Sequence, residues 1–120
     1  MSVGIVGGSV SPSTALTLNA QTGTTYTFVL TDANNTLVTA SNASAQTYTI
    51  PPNSSVAYPI GSQINIIQIG AGQVSFAQGS GVTIASNGAT STAPKLRVQY
   101  SSASAIKVNT DSWYVVGDIA

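Results

Sequence analysis

The sequence predicts an all-β domain, a small antiparallel β-sandwich or barrel, and three observations carry that expectation. From Thr25 onward apolar and polar residues alternate at period two, as half-buried strands require. The alternating segments are bounded by Asn, Ser, Gly or Pro, which are turn-forming residues. Helix signals are absent, and the abundant Ser and Thr side chains compete with helical backbone hydrogen bonds. A chain of 120 residues is the size of one domain.

Residues 1–24 are rich in Gly, Ser and Thr, with Gly7-Gly8 and Ser11-Pro12-Ser13 as breakers, and they are assigned to an N-terminal arm. Two states suit the arm: a disordered tail, or an apolar strand, 3–6 or 15–18, docked on a neighbouring subunit or a larger assembly. Residues 25–120 form the β-domain. In its first strand Tyr26, Phe28 and Leu30 point one way and Thr25, Thr27 and Val29 the other. Further strands are expected at 37–40, 46–50, 63–69, 73–77 and 82–85. Both faces of 64–69 are largely apolar, so that strand is placed centrally or at a subunit interface, with Ile64, Ile66, Ile67 and Ile69 as interface candidates.

At the C-terminus a register follows from keeping apolar side chains on one face. Pairing Tyr100 with Ser104 sets Val98 against Ile106, Leu96 against Val108 and Arg97 beside Lys107. A two-residue turn at Thr110-Asp111 then sets Val108 opposite Trp113, Ile106 opposite Val115 and Lys107 opposite Tyr114, making a three-strand meander. Tyr100 and Trp113 fall in the core. Arg97 and Lys107 side by side form either a solvated pair or, with Asp118 or Asp32 between them, an interface ion pair.

The charged residues are three basic (Lys95, Arg97, Lys107) and three acidic (Asp32, Asp111, Asp118), 5% of the chain against roughly 25% in ordinary soluble proteins. Without His, Cys or Glu, the chain lacks the commonest general base, metal ligand and thiol nucleophile, so it is expected to be neither an enzyme nor a metal or cofactor carrier. Zero net charge disfavours nucleic acid and anionic membranes as partners. A neutral surface with so little charge favours self-association, and without disulfides burial between subunits is the remaining staple. Met1 to Val10 lacks the pattern of a signal peptide, so synthesis in the cytoplasm is expected.

Individual motifs add little chemistry. Gly70-Ala71-Gly72 lacks the third glycine and the helix of a dinucleotide site, and together with Gly79-Ser80-Gly81 it is assigned to a pair of hairpin turns. Asp32-Ala33-Asn34-Asn35 lacks the glycine and glutamate of a calcium loop. Loop 51–61, stiffened by three prolines, presents Tyr58, Pro59 and Ile60 as a candidate contact surface, unless Val56, Tyr58 and Ile60 plug the end of the domain.

In order along the chain, Thr25-Tyr26-Thr27-Phe28-Val29-Leu30-Thr31-Asp32-Ala33, the 49–64 segment around Pro51-Pro52-Asn53-Ser54-Ser55-Val56-Ala57-Tyr58-Pro59-Ile60-Gly61, Gln68-Ile69-Gly70-Ala71-Gly72-Gln73-Val74, Gly79-Ser80-Gly81-Val82-Thr83-Ile84 and Asp111-Ser112-Trp113-Tyr114-Val115-Val116-Gly117-Asp118 resemble the small β-domain of tailed-bacteriophage virion proteins. The resemblance covers 25–120. It implies a virion-surface location, a homotrimer and no catalysis. Fibre proteins carry such a domain behind a long shaft, whereas about 24 residues precede it here. The expectation is therefore a capsid decoration (cement) protein that binds the major capsid protein or other virion proteins, with Val3, Ile5, Val6, Leu16 and Leu18 anchoring the arm. A fibre or baseplate tip whose Tyr58 loop binds a host surface glycan is the other reading. Arg97, Lys107 and Asp118 join the isoleucines as the expected subunit interface.

Overall fold

The structure is a computed structural model that describes residues 15–120. Nine strands are defined among the described residues: β1 (Thr17–Gln21), β2 (Thr25–Thr27), β3 (Thr36–Ala40), β4 (Gln46–Ile50), β5 (Gln63–Gln68), β6 (Val74–Gln78), β7 (Thr83–Ala85), β8 (Ser102–Asn109) and β9 (Ser112–Gly117). One 3-10 turn, Leu30–Ala33, replaces the end of the strand expected at 25–30, because the Asp32 carboxylate accepts the Val29 N–H and closes a turn there.

Strands β1 to β7 alternate between two sheets, and β8 and β9 stay in the sheet that β7 joins. One sheet has the order β1-β3-β5-β8-β9-β7 and the other β2-β4-β6. β3, β4, β5, β6 and β9 each lie beside the strand two elements earlier, and these neighbours run parallel in register: Leu18 on Leu37, Leu37 on Asn65, Tyr26 on Tyr48 on Phe76, and Ile84 on Trp113. This corrects the expected antiparallel arrangement; only β8 runs against the other strands of its sheet. Period two is a property of a strand with one buried face and is blind to the direction of its neighbour. The all-β class stands.

The coil turns at stacked corners. Gly70 N–H donates to the Ala40 carbonyl at 3.1 Å and Gly72 N–H to the Asn42 carbonyl at 2.8 Å, so the 69–73 corner lies on the 41–45 corner. A Cβ on Gly72 would sit 1.8 Å from the Ser44 oxygen, which is why glycine stands there. Gly70–Gly72 and Gly79–Gly81 thus carry the chain from one sheet to the other and are not hairpin turns.

The inward-facing residues of both sheets form one core: Val38, Ile64, Ile66, Ala105, Trp113 and Val115 from the larger sheet, and Tyr48, Ile50, Val74 and Phe76 from the smaller. Phe28 joins them, its ring 5.8 Å from both Tyr26 and Tyr48 and 6.3 Å from Phe76. Several aromatic side chains at these separations supply burial on the order of 2 kcal/mol each.

The C-terminal meander is corrected in two ways. Residues 97–101 form no strand, and Tyr100 is 67% exposed with a positive φ of 70°, so it is not core. The β8–β9 hairpin exists, but one residue out of the expected register: Ile106 pairs with Tyr114 and Lys107 with Trp113. A bulge between Lys107 and Asn109 absorbs the difference. Ala103, Ala105 and Lys107 therefore face inward, and Ile106 and Val108 are turned to the other side.

Candidate interface and the buried lysine cluster

The outer face of the six-stranded sheet is set by register alone. One row across it reads Leu18, Leu37, Asn65, Ser104 and Val116, strand by strand. The neighbouring row runs from Gln63 through Ile106 to Tyr114. No charged residue occurs in either row. Leu18, Tyr114 and Val116 are 66%, 54% and 51% exposed, so the face offers apolar area at both flanks with amides and hydroxyls between.

The charged side chains lie elsewhere. Asp32 is buried, its Oδ1 accepting from Asn19 Nδ2 at 2.8 Å and its Oδ2 from Tyr26 Oη at 2.7 Å and the Val29 N–H at 2.9 Å. Burial and the hydrogen bond to Asp32 push the Tyr26 phenol up to about 12. This polar cluster lines a cleft of about 560 Å³ together with Thr17, Gln21, Thr31 and Asn34. Arg97 and Asp118 form a bidentate pair on the surface, Nε to Oδ1 at 2.7 Å and Nη2 to Oδ2 at 3.0 Å. The guanidinium, helped by the Ser101 hydroxyl at 2.6 Å, holds the Asp118 carboxyl below its ordinary range.

Lys107 is not beside Arg97. It is 2% exposed, and its Nζ donates to Asn53 Oδ1 and to the Tyr58 carbonyl, both at 2.7 Å. The Asn53 N–H donates to Asp111 Oδ1 at 2.7 Å. The backbone of Lys107 also holds the loop, its N–H donating to the Ser62 carbonyl and its carbonyl accepting from the Gly61 N–H. Tyr58 is 3% exposed, packs edge-on against Trp113 at 5.2 Å and donates its hydroxyl to the Val29 carbonyl at 2.7 Å. Burial raises its pKa strongly.

The expected site residues thus separate. Tyr58 is buried while Pro59 and Ile60, the latter 65% exposed, remain accessible. Ile64 and Ile66 are core residues of the same chain, and Ile67 turns to the outer face. Ile69 lies just past β5, half-buried. Leu16 and Leu18 are exposed, and Thr17–Gln21, within the expected arm, pairs with β3 of its own chain. Val3, Ile5 and Val6 lie outside the described residues. Sequence reasoning missed the uncharged outer face because it depends on which strands are neighbours. It missed the burial of Lys107 because one residue of register decides it. The sequence signal that could have found the cluster is the placement of Lys107 and Asp111 either side of a tight turn, two of only six charged residues.

No protein-family model matches this chain, and no curated protein matches it.

Proposed function

We propose that this chain is a structural protein of a tailed-bacteriophage virion surface: a β-sandwich that associates as a homotrimer and decorates the capsid, adding contact area between shell subunits. The uncharged outer face of the six-stranded sheet carries the reading. A monomer leaving Leu18, Tyr114 and Val116 exposed on a face without charges has little to oppose association. Three copies that turn this face toward a common axis cover it and close the assembly. Leu16, exposed just before β1, suits a contact with the shell. The virion location rests on the resemblance of the ordered succession of motifs to phage β-domains.

Two measurements test this. Light scattering on the purified protein is expected to give three times the chain mass, and Tyr114→Lys with Val116→Lys is expected to give a monomer with an unchanged circular dichroism spectrum. Quantitative mass spectrometry of virions is expected to find near-stoichiometric copies relative to the major capsid protein; absence from the particle overturns the reading.

The cleft beside Asp32 favours a second reading, a fibre or baseplate tip that binds a host glycan, since Asn19, Gln21 and Asp32 offer donors and acceptors suited to sugar hydroxyls. A few copies per particle, and adsorption weakened by Gln21→Ala, support that reading instead.

A further inference from the structure

Lys107 poses a physical problem of its own. Its amine is buried, and its two acceptors, a carboxamide and a peptide carbonyl, are uncharged. Among the described residues the one ion pair joins Arg97 to Asp118, so no carboxylate lies within ion-pair distance of Nζ. A buried ammonium without a counter-ion is strongly unfavourable, and hydrogen bonds to neutral acceptors offset only part of that cost.

We propose that Lys107 and Asn53 are joined by an intramolecular isopeptide bond. The amine nitrogen stands 2.7 Å from Asn53 Oδ1, and the carboxamide carbon is one C=O bond, about 1.2 Å, from that oxygen. Both partners are held in place. The Asn53 backbone is tied to Asp111 at 2.7 Å, and Lys107 is tied by its ladder position opposite Trp113 and by its backbone bonds to Gly61 and Ser62. Fixed juxtaposition of this kind raises the effective concentration of a nucleophile at its target.

The step balances without a co-reactant. The uncharged amine of Lys107 attacks Asn53 Cγ, a C–N bond forms to Nζ, the bond from Cγ to Nδ2 breaks, and one amine proton moves to the departing nitrogen, which leaves as ammonia. Nothing is oxidised or reduced. The product is a neutral secondary amide, so no buried amine remains that could carry an unpaired charge. Asp111 acts as a positioning residue through the Asn53 backbone. The Lys107 end of the contact is buried, at 2% exposure, and Trp113 faces it across the ladder. The link would close a stretch 54 residues apart in a chain without cysteine, constraining the unfolded state as a disulfide does.

Intact mass spectrometry of the full chain decides the matter. The wild type is expected about 17 Da, one ammonia, below the mass calculated from its sequence. Trypsin, which has only Lys95, Arg97 and Lys107 to cut, is expected to spare Lys107 and to leave the C-terminal peptide linked to the fragment containing Asn53. Asn53→Ala is expected to restore the full mass and the cut at Lys107. A wild-type chain at its full calculated mass overturns the proposal, whatever the variant does. So does a deficit with Lys107 still cleaved, which assigns the lost ammonia to a succinimide.

Discussion

Lys107 and Trp113 face each other across the β8–β9 ladder, and both side chains are buried on the inner side of the six-stranded sheet. A basic residue and the largest aromatic share the position where loop 51–62 crosses the end of the core. Lys107 holds the loop through Asn53 and Tyr58, and Trp113 holds it through the ring of Tyr58. The loop that looked like a recognition surface is thereby part of the packing at Tyr58, while Pro59 and Ile60 beside it face outward.

Tyr58→Phe keeps the ring on Trp113 and removes the hydroxyl that satisfies the Val29 carbonyl. A loss of about 1 to 2 kcal/mol is expected in urea unfolding with the slope unchanged. Tyr58→Ala also empties the site and is expected to cost about 3 to 5 kcal/mol. A change below a few tenths for Tyr58→Ala would show the loop to be detached in solution.

Tyr48 is fully buried, and its hydroxyl has no hydrogen-bond partner among the described residues. Tyr48→Phe removes a desolvated polar atom while keeping the aromatic contacts with Tyr26 and Phe28, so it is expected to be neutral or to stabilise by up to about 1 kcal/mol. Thermal unfolding measures it, and a large drop in midpoint would reveal a partner for the hydroxyl.

Gly72→Ala places a Cβ 1.8 Å from the Ser44 carbonyl oxygen, backbone against backbone, with no side chain able to yield. The corners must separate, and a loss of more than about 2 kcal/mol is expected. Gly61→Ala is the informative contrast: among the described residues nothing lies within 4 Å of its added Cβ, and the positive φ of 92° is what opposes it. A cost near 1 kcal/mol is expected there. Equal costs for both would argue against the close approach of the corners.

Alkaline pH is expected to destabilise the fold. Burial pushes Tyr26 and Tyr48 from an ordinary 10.0 up to about 12, so the folded chain keeps phenolic protons that the unfolded chain releases. Their contribution is complete below about pH 10 and is lost as pH rises from there through about 12. The urea midpoint should fall over that range, and the fall should be shallower in Tyr48→Phe. A midpoint independent of pH up to about 12 would contradict the burial of both phenols.

The strand content was legible because alternation reports a buried face directly: 46–50 is β4 as expected, and 63–69 differs from β5 by one residue. Val38, Ile64, Ile66, Phe76, Trp113 and Val115 are apolar and buried for the same reason. The direction of pairing was not legible, since parallel and antiparallel neighbours demand the same period. Nor was the role of Gly70 and Gly72, because a hairpin turn and a corner between sheets use the same residues and differ only in where the next strand goes.

Local chemistry along the chain therefore settled the all-β class, the positions of most strands and the scarcity of charge. Tertiary structure decided everything that depends on which backbone lies next to which. The one-residue register of β8 on β9 turned Lys107 inward and Ile106 outward. The stacking of β1, β3, β5, β8 and β9 aligned Leu18 with Val116 across five strands on a face without charges. The physical reason is common to both cases. A strand has two faces fixed by its own sequence, but its neighbours, and hence the surface they jointly make, are chosen by the packing of the whole chain.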